Sequence, residues 1–261
     1  MRKIEIKEMK QIQLQILEVI ATFCEEKRLR YFLGYGSLIG AVRHHGYIPW
    51  DDDIDLVMPR PDYDRLLQIF NDYDYNIKVI DNSIDDEYYL PFAKIHDTRT
   101  VIHEKMYKKC QYGVFIDIFP LDGYTGMTQV KKMTRYFRYL NAKKATIGWH
   151  RSIIKNIIII AGKLFLIPFP VKSIISKMQV IATEGGYEEC EIVNSLFSPY
   201  SFKEMCKKTM LEDTIFMEFE GREYRIPREY DSYLRQIYGN YMQLPSERAR
   251  VTHHAFDAYW K

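Results

Sequence analysis

The sequence predicts an α/β protein, with a small mixed sheet and helices on its sides. Apolar residues recur at helical spacing across 12–23 and predict a helix that packs on a core. Residues 113–120 are apolar, β-branched and aromatic and end at a proline, which predicts a buried strand. Residues 215–219 and 222–226 flank Glu220-Gly221, a pair typical of a hairpin turn.

Further elements alternate between the two types. A short strand at 31–33 leads into Gly34-Tyr35-Gly36-Ser37, and Ser37 is expected to cap a helix over 38–44. Pro227 is expected in the first turn of a last helix, which reaches Tyr238. The other candidates are strands at 54–58, 76–80 and 89–95 and a helix at 62–70.

The composition is that of a globular protein. The 261 residues are 47% hydrophobic and 28% charged, which excludes a disordered chain and allows one sizeable domain with or without an insertion. The four cysteines, Cys24, Cys110, Cys190 and Cys206, lack the close spacing of a zinc or redox motif. The start of the sequence has no signal-peptide pattern, so we expect a cytoplasmic protein with reduced thiols and no structural zinc.

Charge is distributed unevenly along the chain. Residues 123–183 contain no aspartate or glutamate but eleven of the 37 basic residues, so the remainder carries 26 basic and 35 acidic residues. This asymmetry predicts three parts: a catalytic core at 1–126, a basic, apolar helical insertion at 127–183, and a C-terminal part at 184–261 that packs on the core.

The basic segment is apolar but too interrupted to span a bilayer. Its uncharged stretch at 156–162 has seven residues, against the roughly 20 that a membrane-spanning helix needs. Two interpretations stay open: a buried helical subdomain, or a patch that lies on the anionic inner leaflet as a peripheral contact. Nucleic-acid binding is disfavoured, because a long isoleucine run does not follow a phosphate backbone.

Carboxylates form the strongest candidate site. Asp53 and Asp55 lie two residues apart on a predicted strand, so both side chains point to one face. Asp117 lies inside an apolar strand, where an unpaired carboxylate is costly. A neighbouring strand that brings Asp117 beside the pair would complete a site for one or two hard cations. Either one of Asp51 and Asp52 is an outer ligand, or both lie in the turn after Pro49.

Phosphate contacts are predicted around these carboxylates. Gly36 and Ser37 at a helix start offer backbone N–H groups and a hydroxyl. Arg43 and His44 either favour the dipole at the end of that helix or neutralise a phosphate beside the metal. Lys94 and His96 are candidates for the same neutralising role. A strand, Gly-Ser, a helix and then a strand with Asp-x-Asp resembles the nucleotidyltransferase (polymerase-β-like) fold.

Three blocks of the sequence resemble the LicD family, which also includes fukutin and the fukutin-related protein. The blocks run from Gly34 to Asp55, from Gly113 to Pro120 and from Tyr238 to Pro245. Their order and spacing agree over nearly the whole chain apart from the basic segment. On this resemblance Asp53, Asp55 and Asp117 fall on the acidic metal-binding positions of the family, and Asp51 falls on a further one.

The resemblance implies transfer of a phospho-alcohol from a CDP-activated donor to a sugar hydroxyl, with release of CMP. Bacterial members of this length typically use CDP-choline and modify teichoic acid or lipopolysaccharide precursors, which implies a lipid-linked glycan acceptor. Mg²⁺ or Mn²⁺ is the expected cofactor, and Asp117 is the expected proton acceptor. Other CDP-alcohols such as CDP-ribitol, nucleotidyl transfer from an NTP, and a non-catalytic membrane-associated scaffold are the alternatives.

Choline would need an aromatic cage for its quaternary ammonium group. The candidates are Tyr35, Tyr47, Trp50, Tyr88, Tyr112 and Trp149, and the sequence does not choose among them.

Overall fold

The computed structural model describes residues 1–73, 75–104, 111–144, 153–165, 168–198, 200–250 and 256–261. Its helices are α1 (Ile6–Lys27), α2 (Tyr35–His44), α3 (Arg60–Ile69), α4 (Met127–Lys144), α5 (Ile153–Phe165), α6 (Val171–Ala182), α7 (Lys208–Glu212) and α8 (Tyr230–Tyr238). Its strands are β1 (Arg2–Ile4), β2 (Phe32–Leu33), β3 (Asp55–Pro59), β4 (Ile77–Ile80), β5 (Ala93–Asp97), β6 (Thr100–Glu104), β7 (Phe115–Gly123), β8 (Ile192–Asn194), β9 (Cys206–Lys207), β10 (Thr214–Phe219), β11 (Arg222–Pro227) and β12 (Phe256–Trp260).

The central sheet has the strand order β2-β3-β7-β5-β4, and β8 and β9 extend it from the end of β7. Strands β3 and β7 are parallel, whereas the other neighbours are antiparallel. Strands β1, β12 and β6 form a second antiparallel sheet, and β10 and β11 form a hairpin. The predicted α/β class with a mixed sheet is therefore confirmed.

The first helix shows how the sequence pattern becomes the core. The apolar side of α1 packs on the sheet, and its residues Ile16, Leu17 and Ile20 are fully buried. Burial of a side chain of this size stabilises a fold by roughly 1.5–3 kcal/mol. These residues belong to one large hydrophobic cluster, which also takes in the apolar residues of β3, β5 and β7.

Two predicted helix starts are wrong. Helix α2 begins at Tyr35, so Ser37 lies inside it, and its capping residue is Gly34, which makes no side-chain capping bond. Helix α8 begins at Tyr230, because Pro227 still pairs with Thr214 at the end of the hairpin. The predicted strand at 89–95 forms later, as β5. Strands β6 and β12 were not predicted, since they pair with each other across more than 150 residues.

A second, smaller hydrophobic cluster adjoins the first, because the partly buried Phe92 and Val171 pack against both. It is built by residues of α4 and α6, such as Met133 and Met178, together with Leu196 and Phe197. Helices α4, α5 and α6 occupy the basic segment, while its limits at 127 and 183 stay a prediction. No helix in the described part of the chain combines the length and the apolar character needed to cross a membrane.

Candidate active site

The parallel pair of β3 and β7 brings two of the predicted carboxylates together. Asp55 lies directly opposite Asp117 in the register of the two strands, and the Asp117 N–H donates to the Ile54 carbonyl at 2.9 Å. The Asp55 N–H in turn donates to Ser37 Oγ at 2.9 Å, which fixes the start of β3 against α2. Both carboxylates therefore stand at one edge of the central sheet, held by backbone hydrogen bonds.

The other three aspartates lie in the loop just before β3. Carboxylate oxygens of Asp51, Asp52 and Asp53 come within 4.8 Å of one another. Strand β3 begins only at Asp55, so Asp53 is not on the strand as predicted. The predicted alternation is nevertheless kept, because Ile54 is fully buried between the half-buried Asp53 and Asp55. Asp52, which the sequence left open, joins this group.

The electrostatics of Asp55 show how crowded this edge is. Burial is the main reason why the pKa of Asp55 lies well above its usual value, and the charges of Asp53, Asp117 and Asp51 raise it further. Lys94 acts in the opposite direction. Carboxylate oxygens at this density are the ligands that hard divalent cations prefer, and such a cation would relieve the repulsion. The donor set therefore fits Mg²⁺ or Mn²⁺.

Lys94 lies inside this group rather than at its rim. Its register partner on the neighbouring strand is Asp117, and its Nζ donates to Asp117 Oδ1 at 2.5 Å. The ammonium group also stands 3.4 Å from the centroid of the Phe115 ring, and only 4% of the Lys94 side chain is exposed. Lys94 is thus a buried counter-ion of Asp117 in this structure.

The Gly-Ser pair supports the carboxylates directly. A Cβ on Gly36 would lie 2.6 Å from Asp51 Oδ2, so the absence of a side chain there is what lets the Asp51 carboxylate approach α2. Ser37 is buried, and its Oγ accepts the Asp55 N–H. Ser37 therefore fixes the backbone of Asp55, and Gly36 leaves room for the Asp51 carboxylate.

Arg43 and His44 lie at the end of α2, where they were expected. Arg43 Nε donates to His44 Nε2 at 2.9 Å, and the Arg43 guanidinium also donates to the Tyr241 carbonyl. Burial, followed by the charge of Arg43, lowers the pKa of His44. The His44 ring lies 6.3 Å from the ring of Trp50, which precedes the acidic run. Trp50 thus connects the end of α2 to the carboxylates.

His96 is wrongly predicted as a cation. It is buried, and its Nδ1 accepts the Gly113 N–H at 3.0 Å. Burial lowers its pKa to about 4, so the ring is neutral at pH 7 and cannot neutralise a phosphate.

Gln13 is a supporting residue that the sequence did not reveal. Its Nε2 donates to the Asp52 carbonyl at 2.9 Å and to the Phe115 carbonyl at 3.2 Å. Its Oε1 accepts the Tyr47 hydroxyl at 3.0 Å. A glutamine only 1% exposed on the apolar side of α1 therefore ties the acidic loop to the start of β7. The available signal was a polar residue at a core position of a helix.

A second unpredicted group holds the backbone of Tyr35. Tyr35 has a φ of 45°, a left-handed conformation that is strained for a residue with a bulky side chain. Its hydroxyl oxygen lies 2.7 Å from Ser195 Oγ and 3.1 Å from Glu204 Oε2, within hydrogen-bond distance of both. The Ser198 hydroxyl donates to the other oxygen of Glu204. This buried network connects the first residue of α2 to Ser195, Ser198 and Glu204.

Glu204 should make the stability of the protein depend on pH. Burial raises its pKa to about 7 from an ordinary value of 4.5. A folded-state pKa above the unfolded one means that the stabilisation is complete below about pH 4.5 and is lost as the pH rises through 7. Since one pKa unit corresponds to about 1.4 kcal/mol, ionisation of Glu204 costs the folded state roughly 3 kcal/mol. Glu204→Gln should remove this loss.

Urea unfolding at pH 5 and pH 8 measures the effect. The difference in unfolding free energy between Glu204→Gln and the unchanged protein should grow in favour of the variant as the pH rises. Glu26→Gln, at an exposed position on α1, is the matched control and should show no such trend. A constant difference at both pH values would contradict a buried, titrating Glu204.

The structure divides the six aromatic candidates by accessibility. Tyr35, Tyr88 and Tyr112 are buried, and Trp149 lies outside the described residues. Tyr47 and Trp50 are half-buried, and each already has a cation over its ring: Lys10 at 4.4 Å from the Tyr47 centroid and Arg250 at 5.3 Å from that of Trp50. Of these two, Trp50 directly adjoins the carboxylates.

Comparisons with known proteins find one matching family model and several curated relatives. The family model described as LicD/FKTN/FKRP, nucleotidyltransferase domain, matches residues 28–156, a range that includes all five aspartates. The lipopolysaccharide cholinephosphotransferase LicD of Haemophilus influenzae is 31% identical over 270 residues, which cover 99% of each chain. An uncharacterized protein of Rickettsia typhi is 32% identical over 81 residues, 30% of this chain and 26% of its own.

Proposed function

Because this chain belongs to the LicD family, we propose that it transfers phosphocholine from CDP-choline to a sugar hydroxyl of a cell-surface glycan precursor. The observation that carries the proposal is the pairing of Asp55 with Asp117 beside Asp51, Asp52 and Asp53, within the region that matches the family. The full-length match to a lipopolysaccharide cholinephosphotransferase supports choline as the alcohol and a lipopolysaccharide-type or teichoic-acid-type glycan as the acceptor.

The carboxylates are proposed to hold Mg²⁺ or Mn²⁺. Asp51, Asp53, Asp55 and Asp117 would be the ligands. Asp52 is a further candidate, because one of its carboxylate oxygens lies within 4.8 Å of those of Asp51 and Asp53. When bound, the cation supplies positive charge that stabilises the diphosphate and the departing CMP.

The protein groups would then carry out the displacement. The acceptor oxygen attacks the distal phosphorus of the donor, and the bond from that phosphorus to the bridging oxygen breaks and releases CMP. Asp117 is proposed to accept the proton of the hydroxyl. Asp117 Oδ1 already accepts a hydrogen bond from Lys94, so Oδ2 is the oxygen proposed to accept the proton of the sugar hydroxyl. Gly36, Ser37, Arg43, His44 and Lys94 are proposed to orient the phosphates.

Trp50 is our proposed contact for the choline head group. A quaternary ammonium group binds best over an indole ring, and Trp50 is the half-exposed indole beside the acidic run. The position of Arg250 above this ring shows that its face accepts a cation in the folded protein.

The test is release of CMP by the purified protein with Mg²⁺, a glycan acceptor and a panel of CDP-alcohols that includes CDP-choline and CDP-ribitol. We expect release with CDP-choline, and loss of release in Asp53→Ala and Asp117→Ala while both variants stay folded. Asp213→Ala, at a surface position paired with Arg228, is the control and should keep full activity.

Other results would replace the proposal. Release only with CDP-ribitol would assign another alcohol, and pyrophosphate release from an NTP would assign nucleotidyl transfer. Near-normal turnover by either aspartate variant would refute the assigned site. Failure of every donor would favour a non-catalytic scaffold.

A further inference from the structure

Helix α5 presents an apolar stripe to solvent. Its 13 residues expose 71% of Ile154, 58% of Ile157, 42% of Ile160 and 61% of Leu164. Steps of three and four residues place these side chains on one side of the helix. Four large aliphatic residues in such a row are not the scattered exposure that every soluble surface shows, and they indicate an interaction surface.

The described side chains of this helix contribute little to the interior. None of its described side chains belongs to either hydrophobic cluster. Helices α4 and α6 bury apolar residues such as Val130 and Ile174 against each other instead. The apolar stripe of α5 is therefore exposed and available for contact with a binding partner.

Charge shows what kind of partner fits. Residues 123–183 carry no acidic side chain, and the exposed bases Lys131, Arg135 and Arg138 on α4 have no ion-pair partner among the described residues. On α6, Lys177 and Val180 are one turn apart and both exposed, and the Lys177 ammonium lies 5.9 Å from the ring of Phe169. Phe169 follows α5 and is 41% exposed. At Phe169 and Lys177, an exposed apolar side chain and an exposed basic side chain thus lie side by side.

We propose that α5, together with the exposed bases Lys131, Arg135 and Arg138 of α4 and Lys177 of α6, binds the surface of an anionic lipid bilayer, with the helix lying in the plane of the head groups. A helix of 13 residues is about 20 Å long, too short for a hydrocarbon core of about 30 Å, so it lies on the membrane rather than crossing it. Apolar residues that enter the interface and bases that meet anionic head groups are the chemistry such a surface recognises. This proposal does not depend on the transferase activity.

Flotation with vesicles tests it on the full chain. We expect the protein to float with phosphatidylcholine vesicles that contain about one third phosphatidylglycerol, and to bind far less to pure phosphatidylcholine or in high salt. Ile157→Glu should lower binding at least tenfold. Ile6→Glu, which changes an isoleucine of similar exposure on α1, should leave binding unchanged.

Release of CMP with a soluble acceptor separates this proposal from the proposed function. Ile157→Glu should keep that activity, because α5 contributes none of the carboxylates. Three results would overturn membrane binding: no flotation of the unchanged protein, equal binding to neutral vesicles, or full binding by Ile157→Glu. A dimer that Ile157→Glu dissociates, in a protein that ignores vesicles, would also overturn it and assign the stripe to a second copy.

Discussion

Asp55→Asn is expected to abolish CMP release and to raise the melting temperature of the metal-free protein. Burial is the largest cost of ionising Asp55, and the like charges of Asp53, Asp117 and Asp51 add to this cost. An asparagine amide keeps the shape of the side chain and removes the repulsion. Active sites often store instability of this kind, and replacement of one charged group then stabilises the fold.

The loss of activity should be large. Charge stabilisation by a bound cation is worth several kcal/mol in the transition state, so removal of one carboxylate ligand should lower kcat roughly a thousandfold. The gain in stability should be smaller: about 1 kcal/mol shifts the melting temperature of a protein of this size by roughly 2–4 °C.

Thermal unfolding with chelator and with Mg²⁺ distinguishes the two effects. The unchanged protein should gain stability from Mg²⁺, whereas Asp55→Asn should start higher and gain little. Asp213→Asn is the matched control, because it removes an aspartate of the surface pair with Arg228. If Asp55→Asn melted below the unchanged protein in chelator, the crowding of charges at this edge would be refuted.

The sequence predicted Asp117 as a site residue for a local reason: it is a carboxylate in an apolar strand. Its position opposite Asp55 depends on parallel pairing of β3 with β7, which local pattern cannot predict because the strands are about sixty residues apart. Ser37 illustrates the opposite case. Its place before an apolar run favoured a helix cap. In the structure, however, its hydroxyl oxygen accepts the N–H of Asp55, 18 residues later in the chain.

Gln13 and Glu204 show why supporting residues are harder to predict than ligands. Each is a polar residue whose partners come from distant segments: Asp52 and Phe115 for Gln13, and Tyr35 for Glu204. In the sequence, Gln13 and Glu204 each look like any other polar residue, because neither belongs to a recognisable motif. Metal ligands differ in this respect, because several of them must carry the same chemical group, and that repetition is visible in the run at 51–55.

Lys94→Met should make the stability of the protein depend strongly on a divalent cation. Lys94 is the buried cation beside Asp117, and the ion pair is almost sealed from water, with 4% of one side chain and 10% of the other exposed. Removal of one partner from a buried pair leaves an uncompensated charge and costs roughly 3–5 kcal/mol. The aliphatic chain of methionine keeps the packing against Phe115, so the charge is the main loss.

A divalent cation can replace the missing charge. In chelator the variant should melt about 10 °C below the unchanged protein, on the scale of roughly 2–4 °C for each kcal/mol. Saturating Mg²⁺ should recover a large part of this loss, so that the Mg²⁺-induced rise in melting temperature is greater for Lys94→Met than for the unchanged protein. Adding Asp117→Asn to Lys94→Met should restore stability without Mg²⁺, because the unpaired carboxylate is then gone.

Lys78→Met is the control variant for Lys94→Met. Lys78 lies on the adjacent strand β4, and its ammonium donates to the backbone carbonyls of Asn71 and Tyr73 rather than to a carboxylate. Its loss should therefore lower the melting temperature by the same amount with and without Mg²⁺. If Lys94→Met behaved like Lys78→Met, Lys94 would be a packing residue of the sheet, and the positive charge beside Asp117 would have no part in balancing the carboxylates.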